Sequence, residues 1–201
     1  MWTLDLYTSI GPAVLGSIAV PAAGGELEAY RSLDPLLRAG IQFVGTVLVA
    51  MVVLGLFQNV GTRAVAKSRR SPVISICLGL PSLLVVAGLA GTGYLIVDTS
   101  VGTFFGIPLV ILGVTVLPAA IAIGFTTLGR NAAAMVGRDR LWIGILIGGL
   151  IHGAAGLVFP ATVAVAALAG ALGIGASARV LVGGVGAARP DDRTVPPANK
   201  I

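Results

Sequence analysis

The chain has 201 residues, 56% hydrophobic and only 10% charged, with a mean hydropathy of +1.01 and a formal net charge of +5. Soluble domains carry about 25% charged residues, so 13 basic and 8 acidic side chains are too few to clothe a water-facing globule of this size. An ordinary soluble enzyme, a disordered chain and a nucleic-acid module are excluded, and the single cysteine, Cys77, excludes a disulfide scaffold. An integral membrane protein remains.

The charges leave five uncharged windows: Leu6 to Gly25, Ala39 to Thr62, Ser71 to Val97, Thr99 to Gly129 and Leu141 to Ala178, of 20, 24, 27, 31 and 38 residues. A spanning helix needs about 20 mostly apolar residues to cross roughly 30 Å of hydrocarbon. Barrel strands would alternate apolar and polar side chains; the run Leu83 to Ala90 has no polar side chain at all, so the spans are helices.

In chain order, the first window is the weakest. It holds Pro12, Pro21 and four glycines (Gly11, Gly16, Gly24, Gly25), and it lacks the basic flank of a signal peptide. An interfacial or externally packed segment is favoured over a span. Ile41 to Phe57 is a clean span, with Gln42 near one end and Gln58 and Asn59 closing the other. Val73 to Val97 is the next and carries Pro81; Phe105 to Leu128 follows with Pro108 and Pro118, prolines that kink a membrane helix without ending it. The last window would reach about 57 Å as one helix, so it predicts a hairpin. Its turn falls near His152 to Pro160, between a short arm, Leu141 to Ala155, and a longer one, Ala161 to Val182. The short arm must tilt, thin the bilayer or remain re-entrant. Three segments result: an outer N-terminal arm (1–38), a transmembrane helical domain (39–186) and a cytoplasmic tail (187–201). The expected fold is an all-α polytopic transmembrane bundle of about five spans, the last two a Gly/Ala-rich hairpin.

Short cytoplasmic loops carry an excess of Lys and Arg. Placing Arg63, Lys67, Arg69 and Arg70 inside brings every later loop into agreement: 11 basic and 3 acidic residues inside, 2 basic and 5 acidic outside. The expected location is the cell membrane, with the N-terminus outside and the C-terminus in the cytoplasm. The basic balance then reflects orientation against a negative inner leaflet rather than nucleic-acid binding.

There are 29 glycines, about twice the usual share of roughly 7%. Gly144 and Gly148, then Gly149 and Gly153, are four apart, and Ala166/Gly170 and Ala169/Gly173 continue the pattern in the last span. Small residues at this spacing let helix backbones approach. They predict that the last two spans pack with small faces in contact, within one chain or as the seam of a homo-oligomer.

Chemistry is sparse. No window contains Asp, Glu, Lys or Arg, whereas membrane enzymes and ion-coupled transporters keep such groups at depth. His152, the one histidine, falls at the predicted outer turn with no acidic or histidine partner nearby in sequence and reads as structural or interfacial; Cys77 reads as an inert buried thiol in the second clean span. No catalytic set, metal spacing or cofactor motif is present, and Gly173-Ile174-Gly175 follows no strand, so it is no dinucleotide fingerprint. The best binding candidates are Arg63, Lys67, Arg69 and Arg70, four cations in eight residues, each worth about 1 kcal/mol against anionic lipid. The alternative is that they only fix topology.

Ser71-Pro72 opening a long span, Gly106-Ile107-Pro108-Leu109 in the next and Gly173-Ile174-Gly175-Ala176 in the terminal hairpin give residues 71–181 a layout that resembles the multi-span membrane region of bactofilin-like polymer-forming proteins. The arm and tail resemble small uncharacterised archaeal membrane proteins. The β-helical polymer-forming repeats are absent, so the resemblance implies a membrane anchor or companion subunit and no polymerisation. The expected function is a non-catalytic membrane scaffold, anchor or accessory subunit. Its expected partners are the bilayer, anionic lipids and a membrane or cytoskeletal protein. The rival is a small transporter or permeation protein, since proline-broken helices line sites in transporters.

Overall fold

The computed structural model describes residues 23–186; the first window up to residue 22 and the tail 187–201 lie outside the described residues. Seven helices and no strand occur among the described residues: α1 (Ala23–Ser32), α2 (Pro35–Leu56), α3 (Gln58–Arg70), α4 (Pro72–Ile96), α5 (Ser100–Met135), α6 (Leu141–Ala155) and α7 (Phe159–Gly186). Local chemistry sets several starts. The Asp34 carboxylate accepts the Leu36 and Leu37 amides at 2.8 and 3.4 Å ahead of Pro35, and Thr99 Oγ1 accepts the Gly102 amide at 2.9 Å. These side chains satisfy amide donors that a helix start leaves open. Proline at the first position of α2 and α4 sacrifices an amide that would have had no partner.

Four helices are long and apolar enough to cross a membrane: Pro35–Leu56, Pro72–Ile96, Gly102–Met135 and Phe159–Gly183. Their outward side chains are apolar, among them Leu48, Leu84, Leu95, Phe104 and Val114. An apolar surface this continuous is not carried in water, and the chain is a multi-pass membrane protein of all-α bundle fold. At 15 residues α6 is about 22 Å long, short of the hydrocarbon thickness. The first spanning helix begins at Pro35, so Arg38, expected in the outer arm, lies inside it and is buried.

The central helix is α5, which touches α2, α3, α4, α6 and α7. Glycine sets how closely. A Cβ at Gly175 would run into the Ser75 carbonyl oxygen and one at Gly79 into that of Ala171, which makes the α4–α7 crossing a backbone contact. On its other side α7 does the same with α5: Gly173 faces the Ala120 carbonyl and Gly124 faces that of Ala169. Thus α7 is wedged between α4 and α5. Gly170 is looser, with Leu83 Cδ1 at 3.3 Å from where its Cβ would be.

The short helix is held by other neighbours. Gly148 of α6 sits on the Phe125 carbonyl of α5, Gly144 on the Arg130 side chain, Gly149 against Val47 Cγ2 of α2 (2.7 Å from a Cβ built there) and Gly153 against the Ala39 carbonyl (2.9 Å). Glycine spacing predicts that the small faces of α6 and α7 meet each other. They do not: the two helices are joined at Gly156–Val158 but hardly touch, because each buries its glycines against α5 and against a different third helix.

Two further expectations are corrected. Residues 63–70, expected to be a loop, belong to α3, which buries Gly61, Ala64, Val65 and Ser68 at helical spacing and turns Arg63, Lys67 and Arg70 outward. Ala64 and Val65 join Ala50, Leu54, Ala122, Ile123, Ile145 and Ala176 in the core. Cys77 is exposed on the outer face of α4 rather than buried, between the inward-facing Ser75 and Gly79.

Candidate functional site

The charged end of the bundle is built by the junctions α3–α4 and α5–α6. Helix α5 stops in a Schellman motif: the Gly137 and Arg138 amides donate to the carbonyls of Ala134 and Ala133, each at 3.0 Å. This turn needs a left-handed residue, and Gly137 supplies it with φ +72°. The chain then passes through Arg138, Asp139 and Arg140, with the Arg140 amide bonded to the Arg138 carbonyl at 3.1 Å, before α6 begins at Leu141.

Asp139 is the hub. Its carboxylate accepts from Arg69 Nη1 with both oxygens at 2.8 Å, and its Oδ1 accepts from Arg130 Nε at 3.0 Å and Nη2 at 2.7 Å. Arg69 is fixed from a second side, since its Nε donates to Asn131 Oδ1 at 3.0 Å. One acid therefore ties the last turn of α3 to both sides of the α5–α6 turn. The hydrogen bond from Arg69, then that from Arg130, hold the Asp139 carboxyl below its ordinary 3.8. On the flank, Arg179 of α7 donates to the Ser71 carbonyl at 3.3 Å and to Ser75 Oγ at 3.1 Å, a guanidinium occupying the start of α4.

Of the four cations expected to hold headgroups, Arg63, Lys67 and Arg70 are exposed, while Arg69 is half-buried and committed to Asp139. Arg138, Arg140 and Trp142 are also exposed. The two groups are distant in the chain, and the Arg69–Asp139 pair, 70 residues apart, brings them to one end. Gly144, Gly148, Gly149, Gly153, Gly170 and Gly173 all lie buried at helix crossings.

A second polar group lies in the bundle, assembled from residues far apart in the chain. His152 occupies the last turn of α6, half-buried, with Nδ1 at 2.5 Å from Thr46 Oγ1 of α2 and its ring stacked on Phe125 of α5 at 4.3 Å between centroids. Its partner is 106 residues away, which no local pattern could reveal. Gln42 and Thr46 join His152 at a cleft of about 230 Å³ whose other walls are apolar, Val49, Pro118, Ile121 and Ala122. Gln42 Nε2 also donates to the Tyr30 hydroxyl, which links α1 to the same wall. Above it, Arg38 Nη2 reaches the Leu157 carbonyl at 3.5 Å, a cation at the open carbonyl end of α6, and Arg31 lies 4.3 Å over the Phe159 ring. Among the described residues no three His, Cys, Asp or Glu side chains come together as metal ligands.

Comparison with protein-family models, with curated proteins and with solved structures finds no match to this chain.

Proposed function

We propose that this protein is a non-catalytic membrane scaffold or accessory subunit whose cationic end rests on an anionic membrane surface. The observation that carries the reading is Asp139 drawing Arg69 and Arg130 together, which ties α3, with Arg63, Lys67 and Arg70 exposed, to the α5–α6 turn, with Arg138 and Arg140 exposed. Each cation near an anionic leaflet contributes about 1 kcal/mol. The excess of basic residues at this end supports a cytoplasmic placement in the cell membrane, with the opposite end, carrying Tyr30 and Asp98, outside. Backbone contacts at Gly79, Gly124, Gly173 and Gly175 support a rigid body, suited to presenting a surface rather than to rocking between two states.

The test is reconstitution into vesicles with dansyl-labelled phosphatidylserine or dansyl-labelled phosphatidylcholine. The second tryptophan, Trp2, is replaced by phenylalanine so that Trp142 is the sole donor. Transfer to the anionic lipid should exceed transfer to the zwitterionic one and fall in high salt. Equal transfer to both lipids refutes the reading, as does the lack of a stoichiometric partner in mild-detergent pulldowns from native membranes. The cleft at Gln42, Thr46 and His152 favours a second reading, a small permeation protein, for which solute flux through vesicles containing only the purified chain is the deciding result.

A further inference from the structure

Sequence alone puts the headgroup site of the proposed function on one segment, residues 63–70. The structure divides it. Arg63, Lys67 and Arg70 are exposed on α3, Arg138 and Arg140 on the α5–α6 turn and the amphipathic Trp142 on the first turn of α6, segments with no covalent reason to be neighbours. Four charge-assisted hydrogen bonds onto one carboxylate hold them together. The Arg69 guanidinium is engaged on two sides, with Nη1 on Asp139 and Nε on Asn131. Two of its three nitrogens are therefore committed within the protein, although sequence alone counts Arg69 among the free binders.

We propose that the anionic-lipid site is bipartite, formed by α3 and the α5–α6 turn together, and that Asp139 is its positioning residue, acting through Arg69 and Arg130. The ligand is a phosphate-bearing lipid headgroup, which cations from two segments can approach from two directions while the Trp142 ring sits at the interface. This inference rests on the cationic end meeting an anionic membrane, and its expected outcome is opposite in sign to simple charge counting. Asp139→Asn removes a negative charge and leaves the end more cationic. Long-range attraction alone then requires tighter binding of anionic lipid. A bipartite site requires weaker and less selective binding, because the two halves lose the group that joins them.

The experiment uses the full chain in vesicles, with the same Trp2→Phe background and fluorescence transfer from Trp142 to dansyl-phosphatidylserine or dansyl-phosphatidylcholine, comparing the parent with D139N, D139E and R69K. D139E keeps the charge and should retain most of the selectivity. R69K keeps the charge but lacks the planar fork, and should fall with D139N. Loss of the ordered contribution of one cation corresponds to about fivefold in selectivity for phosphatidylserine. Helix content by circular dichroism and a single elution peak establish that each variant is folded; should D139N fail there, R69K carries the same test. Unchanged or increased selectivity in D139N and R69K overturns the bipartite site while leaving the broader reading standing. No selectivity in the parent overturns the broader reading itself. Displacement of the labelled lipid by inorganic phosphate at the same concentration overturns the assignment to a lipid headgroup.

Discussion

The wedge of α7 between α4 and α5 makes a graded prediction about single methyl groups. In an open helix position, Gly→Ala stabilises by about 0.5–1 kcal/mol because alanine loses less backbone freedom on folding. Gly88 and Gly91 are such positions, with nothing within 4 Å of an added Cβ. At Gly175 and Gly173 the methyl group meets carbonyl oxygens of Ser75 and Ala120, atoms of helix backbone that no rotamer change can move. Overpacking of a fitted core costs about 1–3 kcal/mol even where side chains can give way, so the two substitutions should be destabilising by at least that much. The contrast between Gly175→Ala and Gly88→Ala is then about 2–4 kcal/mol. Gly170 falls between them, because its neighbour is the mobile tip of Leu83, and Gly170→Ala should be near neutral. Unfolding in mixed micelles, followed by far-ultraviolet circular dichroism, measures the series. The order Gly88 above Gly170 above Gly173 and Gly175 is required. If all four alanine variants unfold within about 0.5 kcal/mol of one another, a spread normal for surface changes, the backbone contacts do not hold the bundle together.

Other perturbations test other contacts. Thr46→Val keeps the shape of the side chain but removes the partner of His152 Nδ1; hydrogen bonds between membrane helices contribute about 0.6 kcal/mol on average, so a loss of this order in the same unfolding assay is expected, and none should follow in a His152→Ala background. Asp139 gives a pH signature: its carboxyl titrates lower in the folded state than unfolded, so the ion-pair contribution is complete above pH 3.8 and disappears as pH falls through the lower, folded value. Wild type should therefore lose stability below pH 3.8 in a way that Asp139→Asn does not, and parallel acid profiles for the two would refute the pair. Cys77, facing outward from α4, should react with a lipid-soluble maleimide in vesicles; protection equal to that of a cysteine placed at buried Ser75 would show that this face is covered.

What the sequence reveals and what it hides divide along physical lines. Desolvating a charge in hydrocarbon is so unfavourable that the spans can be read from where charges are missing: the uncharged windows after residue 38 bound α2, α4, α5 and the α6–α7 pair to within several residues. Helix α3 escapes because its buried face is Gly61, Ala64, Val65 and Ser68, small residues whose period carries little hydropathy, while Arg63, Lys67, Arg69 and Arg70 dominate any average. Glycine spacing marks which positions are approached closely, yet spacing within one helix does not name the helix on the other side. For Gly148 and Gly173 that neighbour is α5, which the chain places before both. The Asp139 hub and the Thr46–His152 pair are illegible for the same reason: their members are brought together by tertiary packing over 70 and 106 residues.

The hydroxyl groups show why the Thr46–His152 contact is more than a by-product of packing. In hydrocarbon an unpartnered hydroxyl is unfavourable, and the local remedy is donation to the carbonyl four residues back. Ser82, Thr92, Thr115, Thr126 and Thr127 all take it, at 2.7–2.9 Å. Thr46, buried like Thr126 and Thr127, turns to His152 instead. The short helix α6 has few other polar ties to the bundle, and its glycines hold it by close contact with α5 and α2. A hydrogen bond with α2 and a ring stacked on α5 add two side-chain constraints on the rotation of α6 about its axis. That rotation decides which side chains stand at the start of the helix, about three turns away, where Arg140, Leu141 and Trp142 leave the Asp139 turn. Replacing His152 should therefore alter the environment of Trp142 at the far end of α6. With Trp2 replaced by phenylalanine, the emission maximum reports on Trp142 alone. A maximum identical with and without His152→Ala would show that the glycine contacts orient the helix without the imidazole.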